Sequence, residues 1–125
     1  MNKEDILNTL DKYNLDTNSF IIISGAAMVL YGFKEKTTDI DISVSQQYYN
    51  RLFDDFNPEL EKSFKDKCDA YMIDNVINFS TNYYSENYTQ IGKYRVQTIK
   101  ELIDLKEKLN RDKDKIDLEL IKSKL

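Results

Sequence analysis

Ile23-Ser24-Gly25-Ala26-Ala27-Met28-Val29-Leu30-Tyr31-Gly32, followed closely by Thr37-Thr38-Asp39-Ile40-Asp41-Ile42, is the stretch on which the fold turns. It is entered through Phe20-Ile21-Ile22-Ile23, a β-branched run of the length of a buried strand, which follows the turn-forming Asp16, Thr17 and Asn18. Ser24-Gly25 closes that strand. From Ala26 to Tyr31 small and unbranched residues favour a helix, and Gly32 can end it in the left-handed conformation that glycine adopts freely. From Thr38 to Val44, Asp39, Asp41 and Ser43 alternate with Ile40, Ile42 and Val44, the two-residue period of a strand with one polar and one apolar face. The two carboxylates therefore point the same way.

Working outward, Ile6, Leu7, Leu10 and Tyr13 recur at helical spacing, so residues 3–14 are expected to form an amphipathic surface helix. Gln46 to Phe56 reads as a helix that Asn57-Pro58 interrupts, because the residue before proline is pushed out of the α region; a second short helix is expected to follow. Ala70 to Ile73 and Val76 to Ser80 flank Asp74-Asn75, a pair tolerant of positive φ, and predict a hairpin. Thr81 to Gln90, polar and rich in Tyr and Asn, reads as loop or irregular helix. Tyr94-Arg95-Val96 is expected to be extended. Thr98 with Glu101 three residues on is a capping pattern for a helix striped by Leu102, Ile103, Leu105 and Leu109 and ending near Asn110. Asp112 to Ser123 predicts a last helix with Ile116, Leu120 and Ile121 on its apolar face. The pattern is α+β, a small mixed sheet with flanking helices and two C-terminal helices. No linker or repeat divides it, so residues 1–125 are expected to be one domain with 98–125 as a helical tail packed on it.

Composition narrows the chemistry. With 125 residues, 41% hydrophobic and 32% charged, the chain can bury one core. A pI near 4.9 and a formal charge of -4 argue against extensive nucleic-acid binding by the chain alone. There is no His, which removes Ser-His-Asp and Cys-His catalysis and every imidazole zinc site. The single Cys, Cys68, cannot form an internal disulfide and reads as a small core residue. Acids stand near the N-terminus where a signal peptide carries basic residues, no apolar segment follows, and the uncharged run from Phe20 to Phe33 is too short and too interrupted to span a bilayer. A cytoplasmic protein without a membrane segment is expected.

Chemistry must then run on carboxylates, hydroxyls and cations. Asp-x-Asp alone is weak evidence, since two solvated carboxylates on an exposed sheet face also satisfy it, and Asp112-x-Asp114 reads as a chance occurrence. Asp39 and Asp41 differ in context: carboxylates spaced by two on an otherwise apolar strand are costly to bring together unless a cation binds them. Mg²⁺ prefers such hard oxygen ligands and commonly completes its shell with substrate phosphates. Ser24-Gly25 leads a strand into a helix whose first amides can receive phosphate, although a glycine there also serves tight strand-to-helix geometry. A phosphate-receiving turn followed by two metal-type carboxylates is what nucleotidyl transfer requires.

These two motifs together resemble the signature of the polymerase-beta-like nucleotidyltransferase superfamily: a Gly-Gly or Gly-Ser turn, a short helix, then D-x-D. The nearest likeness is to a minimal bacterial branch that includes the abortive-infection AbiEii-type toxins. It extends to the tail, where Leu105-Lys106, Arg111, Asp114 and Asp117 are similar to a helical pattern of Lys, Arg, Asp and Asp in that branch. The resemblance implies a nucleotidyltransferase-like fold in which Asp39 and Asp41 hold Mg²⁺ or Mn²⁺ and a nucleoside monophosphate passes from a nucleoside triphosphate to a hydroxyl. Ser24, Gly25, Lys106 and Arg111 would contact the nucleotide. The superfamily's third carboxylate lies on a later strand, whose counterpart here is Val76-Ile77-Asn78-Phe79, with Asn78 in the acid's place; a shifted register would offer Asp74 or Asp69 instead. An amide can coordinate a metal but cannot act as a general base, help worth about 10² to 10⁴ in rate. Ser24 stands where the family turn normally has its first Gly.

Two functions are thus expected to compete. One is a Mg²⁺-dependent nucleotidyltransferase acting on a protein or RNA hydroxyl. The other is a catalytically degenerate module of the same fold that binds a nucleotide or a partner, as part of a toxin–antitoxin or abortive-infection system. The chain has no separate acceptor-binding domain, so a partner protein is expected to supply part of the specificity. Tyr83, Tyr84 and Tyr88 are candidates for stacking a base.

Overall fold

Period-two patterning and glycine punctuation are realised as a mixed sheet flanked by helices. The structure, a computed structural model, describes residues 1–60 and 70–125. Among the described residues the order is α1 (Lys3–Tyr13), β1 (Phe20–Ile23), α2 (Ser24–Tyr31), β2 (Ile40–Val44), α3 (Gln46–Asp55), β3 (Glu59–Leu60), β4 (Tyr71–Ile73), β5 (Ile77–Ser80), β6 (Thr89–Ile91), β7 (Tyr94–Val96), α4 (Ile99–Leu109) and α5 (Asp112–Lys124). The strands form one sheet in the order β3-β4-β5-β2-β1-β7-β6. β1 runs antiparallel to β2 and parallel to β7, and β2 runs parallel to β5. The α+β class with two C-terminal helices is as the patterning implies.

Register then sorts the side chains. Ile22 pairs with Ile42 and Ile42 with Phe79, and all three belong to the main buried cluster with Phe20, Val44 and Val96, under Ile6, Leu10, Met28 and Leu52 from the helices. By strand alternation, the partners one residue away face the other side. There Ile23 pairs with Asp41 and Asp41 with Asn78, so the centre of the second face carries polar groups beside apolar ones. α4 and α5 form a helical hairpin: Asn110 ends α4 in the left-handed conformation, with φ 48°, and α4 packs on α2, with Leu102 and Ile121 joining the main cluster.

The glycines act where a side chain would not fit or would be strained. Gly32 caps α2 at φ 83°, as its place after Tyr31 implies. A Cβ on Gly25 would lie 2.9 Å from Thr37 Oγ1, so Gly25 lets the segment leading to Asp39 pass close over the start of α2. The helix begins at Ser24 rather than Ala26, and Ser24 itself sits at φ 55°, a conformation that costs an L-residue about 1–2 kcal/mol.

Several expectations need correction. Asn57-Pro58 is followed by the short strand β3, whose Glu59 and Leu60 pair with Met72 and Tyr71; the rest of the expected second helix, with Cys68 and Asp69, lies outside the described residues. The end of the polar stretch, Thr89 and Gln90, belongs to β6, which pairs with β7 across Gly92-Lys93, where Gly92 supplies φ 60°. On α5 the buried residues are Asp114, Asp117 and Ile121, while Ile116 is exposed. A charged face turns inward there because its carboxylates meet the buried Lys106 ammonium. The predicted hairpin is present, with Asp74 and Asn75 at φ 52° and 57°, and the parallel pairing of its second strand, β5, with β2 brings Asn78 beside Asp41. No helix among the described residues is long and apolar enough to cross a membrane.

Candidate functional site

The site is built where β1 ends and β2 and β5 begin. Asp39 just precedes β2, Asp41 lies within it, and both turn toward Asn78 on β5. The Asn78 amide nitrogen donates to Asp39 Oδ2 and to Asp41 Oδ1, each at 3.0 Å. Its oxygen, Oδ1, is buried without a partner, an arrangement that costs about 1–3 kcal/mol. Asp74 stands apart in the hairpin turn, where it accepts from Tyr13 Oη at 2.6 Å, so the shifted register that would have made it the third carboxylate is not adopted. Among the described residues no group of three or more His, Cys, Asp or Glu side chains is placed to hold a metal ion. The donor set that the cleft offers is therefore two carboxylates and one amide.

Burial, and then the neighbouring charge of Asp39, push the Asp41 carboxyl up to about 6; the Asn78 hydrogen bond and the charges of Lys106 and Lys113 pull the other way. A group strained in this way is one that a bound cation would relieve. Together with the unpartnered Asn78 oxygen, the oxygen-rich donor set fits a hard divalent cation such as Mg²⁺ or Mn²⁺.

Beside the carboxylates, Ser24 opens α2, whose N-terminus has no side-chain cap. The Ser24 amide donates to Gln97 Oε1 at 3.1 Å, which fixes the turn against the end of β7 and leaves the following amides of the first turn to receive an anion. Ser24 Oγ accepts from Lys106 Nζ at 3.3 Å. Lys106 is only 2% exposed, and its ammonium also meets Asp117 at 3.0 Å and Asp114 at 3.4 Å. Its ammonium thus meets three oxygens within the protein. Lys106 stands at the Ser24 turn, as the link between that turn and α5. Asp114 in turn receives Arg111 Nε at 2.6 Å and Nη2 at 3.1 Å, and Asp117 also pairs with Lys34 at 3.2 Å. Burial raises the Asp114 carboxyl, but the Arg111 bonds and the Lys106 charge outweigh it and hold the group below its ordinary value.

Between these groups lies a cavity of about 230 Å³ lined by Ser24, Asp41, Asn78, Tyr83, Arg111 and Lys113, with apolar walls from Ile42, Phe79 and Leu105. The structure brings Ser24, Asp41, Asn78 and Arg111 to the wall of this cavity, with Asp39 joined to it through Asn78, Lys106 buried behind Ser24, and Gly25 beside Ser24 in the first turn of α2. Of the three tyrosines, Tyr83 lines this cavity and a neighbouring pocket, Tyr84 lines the neighbouring pocket, and Tyr88 lies under Arg95 at 4.5 Å. Tyr83 sits at φ 66° in a loop that Ser43 holds by donating to the Asn82 carbonyl. Sequence reasoning did not single out Lys113 or Gln97. Lys113 is one of many lysines in the tail, and nothing local marks it. Gln97 follows a strand and precedes a cap, a place where a polar residue ordinarily meets solvent.

No protein-family model, curated protein or solved structure matches the chain.

Raising the Asp41 carboxyl has a calculable effect on stability. The folded state holds this proton more tightly than the unfolded one, so folding stability falls as pH rises from about 3.8 to about 6 and stays lowered above. The loss is about 3 kcal/mol at pH 7 in the absence of metal. Asp41→Asn removes the charge and keeps an acceptor for Asn78. Urea unfolding in chelator should find it more stable than wild type at pH 7.5, with the difference shrinking toward pH 4. Equal destabilisation at both pH values would contradict this account of the site.

Proposed function

We propose that the protein is a nucleotidyltransferase dependent on Mg²⁺ or Mn²⁺, which moves a nucleoside monophosphate from a nucleoside triphosphate to a hydroxyl of a protein or RNA acceptor. One observation carries the reading: Asp41, bridged to Asp39 by Asn78, lines the same cavity as Ser24 at the uncapped N-terminus of α2, with Arg111 and Lys113. The resemblance of the Ser24-Gly25 turn and the D-x-D strand to the polymerase-beta-like superfamily supports it.

In this reading Asp39 and Asp41 hold the cation with the Asn78 amide. The cation, when bound, neutralises phosphate charge and holds the triphosphate for in-line displacement. The first-turn amides of α2, Arg111 and Lys113 receive phosphate oxygens, while Lys106 fixes the Ser24 hydroxyl against α5. Tyr83 and Leu105 flank the base. The acceptor oxygen forms a bond to the α-phosphorus as the bond to the bridging oxygen breaks and pyrophosphate leaves; the hydroxyl proton goes to a carboxylate of the cleft, since Asn78 cannot take it. A partner protein supplies acceptor specificity.

A second reading, a catalytically degenerate nucleotide- or partner-binding module of a toxin–antitoxin or abortive-infection system, is favoured by one feature. Asn78 places a neutral amide against Asp41 where the resemblance calls for a third acid. Transfer of label from α-³²P nucleoside triphosphates into cell extract separates the two. Wild type should label an acceptor, Asp41→Ala should lower labelling by about 10² or more, and Asn78→Asp should raise it. Labelling that survives Asp41→Ala would overturn the mechanism, and labelling by Asn78→Asp alone would favour the degenerate module.

Tyr83→Ala tests the base contact. Stacking of a base on an aromatic ring is worth about 1–3 kcal/mol, so nucleotide affinity measured by equilibrium dialysis should fall by about 5- to 150-fold, with Mg²⁺ affinity unchanged. Unaltered nucleotide affinity would place the base elsewhere.

A further inference from the structure

Asn78 stands where charge balance calls for a cation. An amide NH2 group has two protons, and both are committed, one to Asp39 Oδ2 and one to Asp41 Oδ1 at 3.0 Å each. The positive end of the amide dipole thereby holds together two carboxylates that would otherwise repel. Its negative end, Oδ1, is buried and meets no donor, in a side chain only 7% exposed. The strand pairing fixes the backbone of Asn78 beside Asp41, so only the terminal amide is free to exchange its ends, and that torsion is broad and roughly two-fold.

In the metal-free protein the present orientation is the favourable one, because the opposite one would set a carbonyl oxygen against two carboxylates. A cation between the carboxylates reverses this preference. The NH2 protons would then face positive charge, and the unpartnered oxygen would find the partner it lacks.

We propose that Asn78 is a rotating ligand: its NH2 clamps Asp39 to Asp41 when metal is absent, and on binding one divalent cation the amide turns over so that Oδ1 becomes the third protein oxygen on the ion. This rests on the reading of the cleft as a divalent-cation site, but it goes beyond it in ligand set and stoichiometry. Two carboxylates balance the charge of a single divalent ion, and the amide adds a ligand without adding charge. In the absence of nucleotide the cleft therefore takes one ion.

The test is NMR of the ¹⁵N-labelled full chain, stripped with chelator and titrated with Mg²⁺ alone. The Asn78 side-chain NH2 pair should move to a new position, saturating at one ion per chain together with the backbone amides of Asp39 and Asp41, and its protons should exchange faster with water once their acceptors are lost. Movement of Asp39 and Asp41 without Asn78, or saturation at two ions, would overturn the rotating ligand and leave the cation site standing. No response at any of the three would overturn both. Asn78→Ala supplies a second readout in the opposite direction from a mere clamp. If the oxygen is a ligand, Mg²⁺ affinity by calorimetry should fall about tenfold or more, whereas loss of a clamp that only competes with the ion would raise it. The spectrum of the variant reports whether it is folded. Loss of nucleotidyl transfer with this response intact would count against the proposed reaction and not against the rotating amide.

Discussion

Repulsion between Asp39 and Asp41 is the constraint around which this structure is arranged. Alternation along β2 puts both carboxylates on one side, and burial of Asp41, followed by the charge of Asp39, pushes its carboxyl up to about 6. What the protein places against the pair is the Asn78 amide, delivered by the parallel register of β2 and β5.

A second charged assembly ties the tail to the cleft. Lys34, Asp117, Lys106, Asp114 and Arg111 form a chain of alternating charge that reaches Ser24 at the start of α2. Lys106 and Asp114 are almost wholly buried. Removing one member of such a buried set typically costs about 3–5 kcal/mol, because the other charges are left unpaired. The assembly explains why α5 presents aspartates to the interior, and it holds Ser24 in a left-handed conformation that a serine does not adopt for its own sake.

Much of this was legible where the local rule and the tertiary demand agree. The β1-α2-β2 unit follows from a β-branched run, a glycine turn and period-two alternation, the hairpin follows from Asp74-Asn75 between two apolar runs, and a place for Asn78 on the strand beside Asp41 is what the family resemblance implies. Legibility failed where polar residues are buried. Asp114 and Asp117 look like a solvated helix face, so the apolar stripe was assigned to Ile116, which is exposed. Thr89 and Gln90 lack the apolar alternation of a strand, and β6 was read as loop although Gly92 offered a turn. Lys106 carries no sequence mark of the three oxygens that its ammonium meets. The direct contact between Asn78 and both carboxylates belongs to register and rotamer together, which no single window of sequence contains.

The central claim is that Asp39, Asp41 and Asn78 form one divalent-cation site beside the α2 turn. Anomalous diffraction from crystals of the wild-type chain grown with Mn²⁺ tests it most directly. The account predicts a single Mn²⁺ peak bounded by the two carboxylates and the Asn78 side-chain oxygen. A cleft free of anomalous density, with Asn78 still bridging the carboxylates through its nitrogen in the presence of the ion, would contradict it.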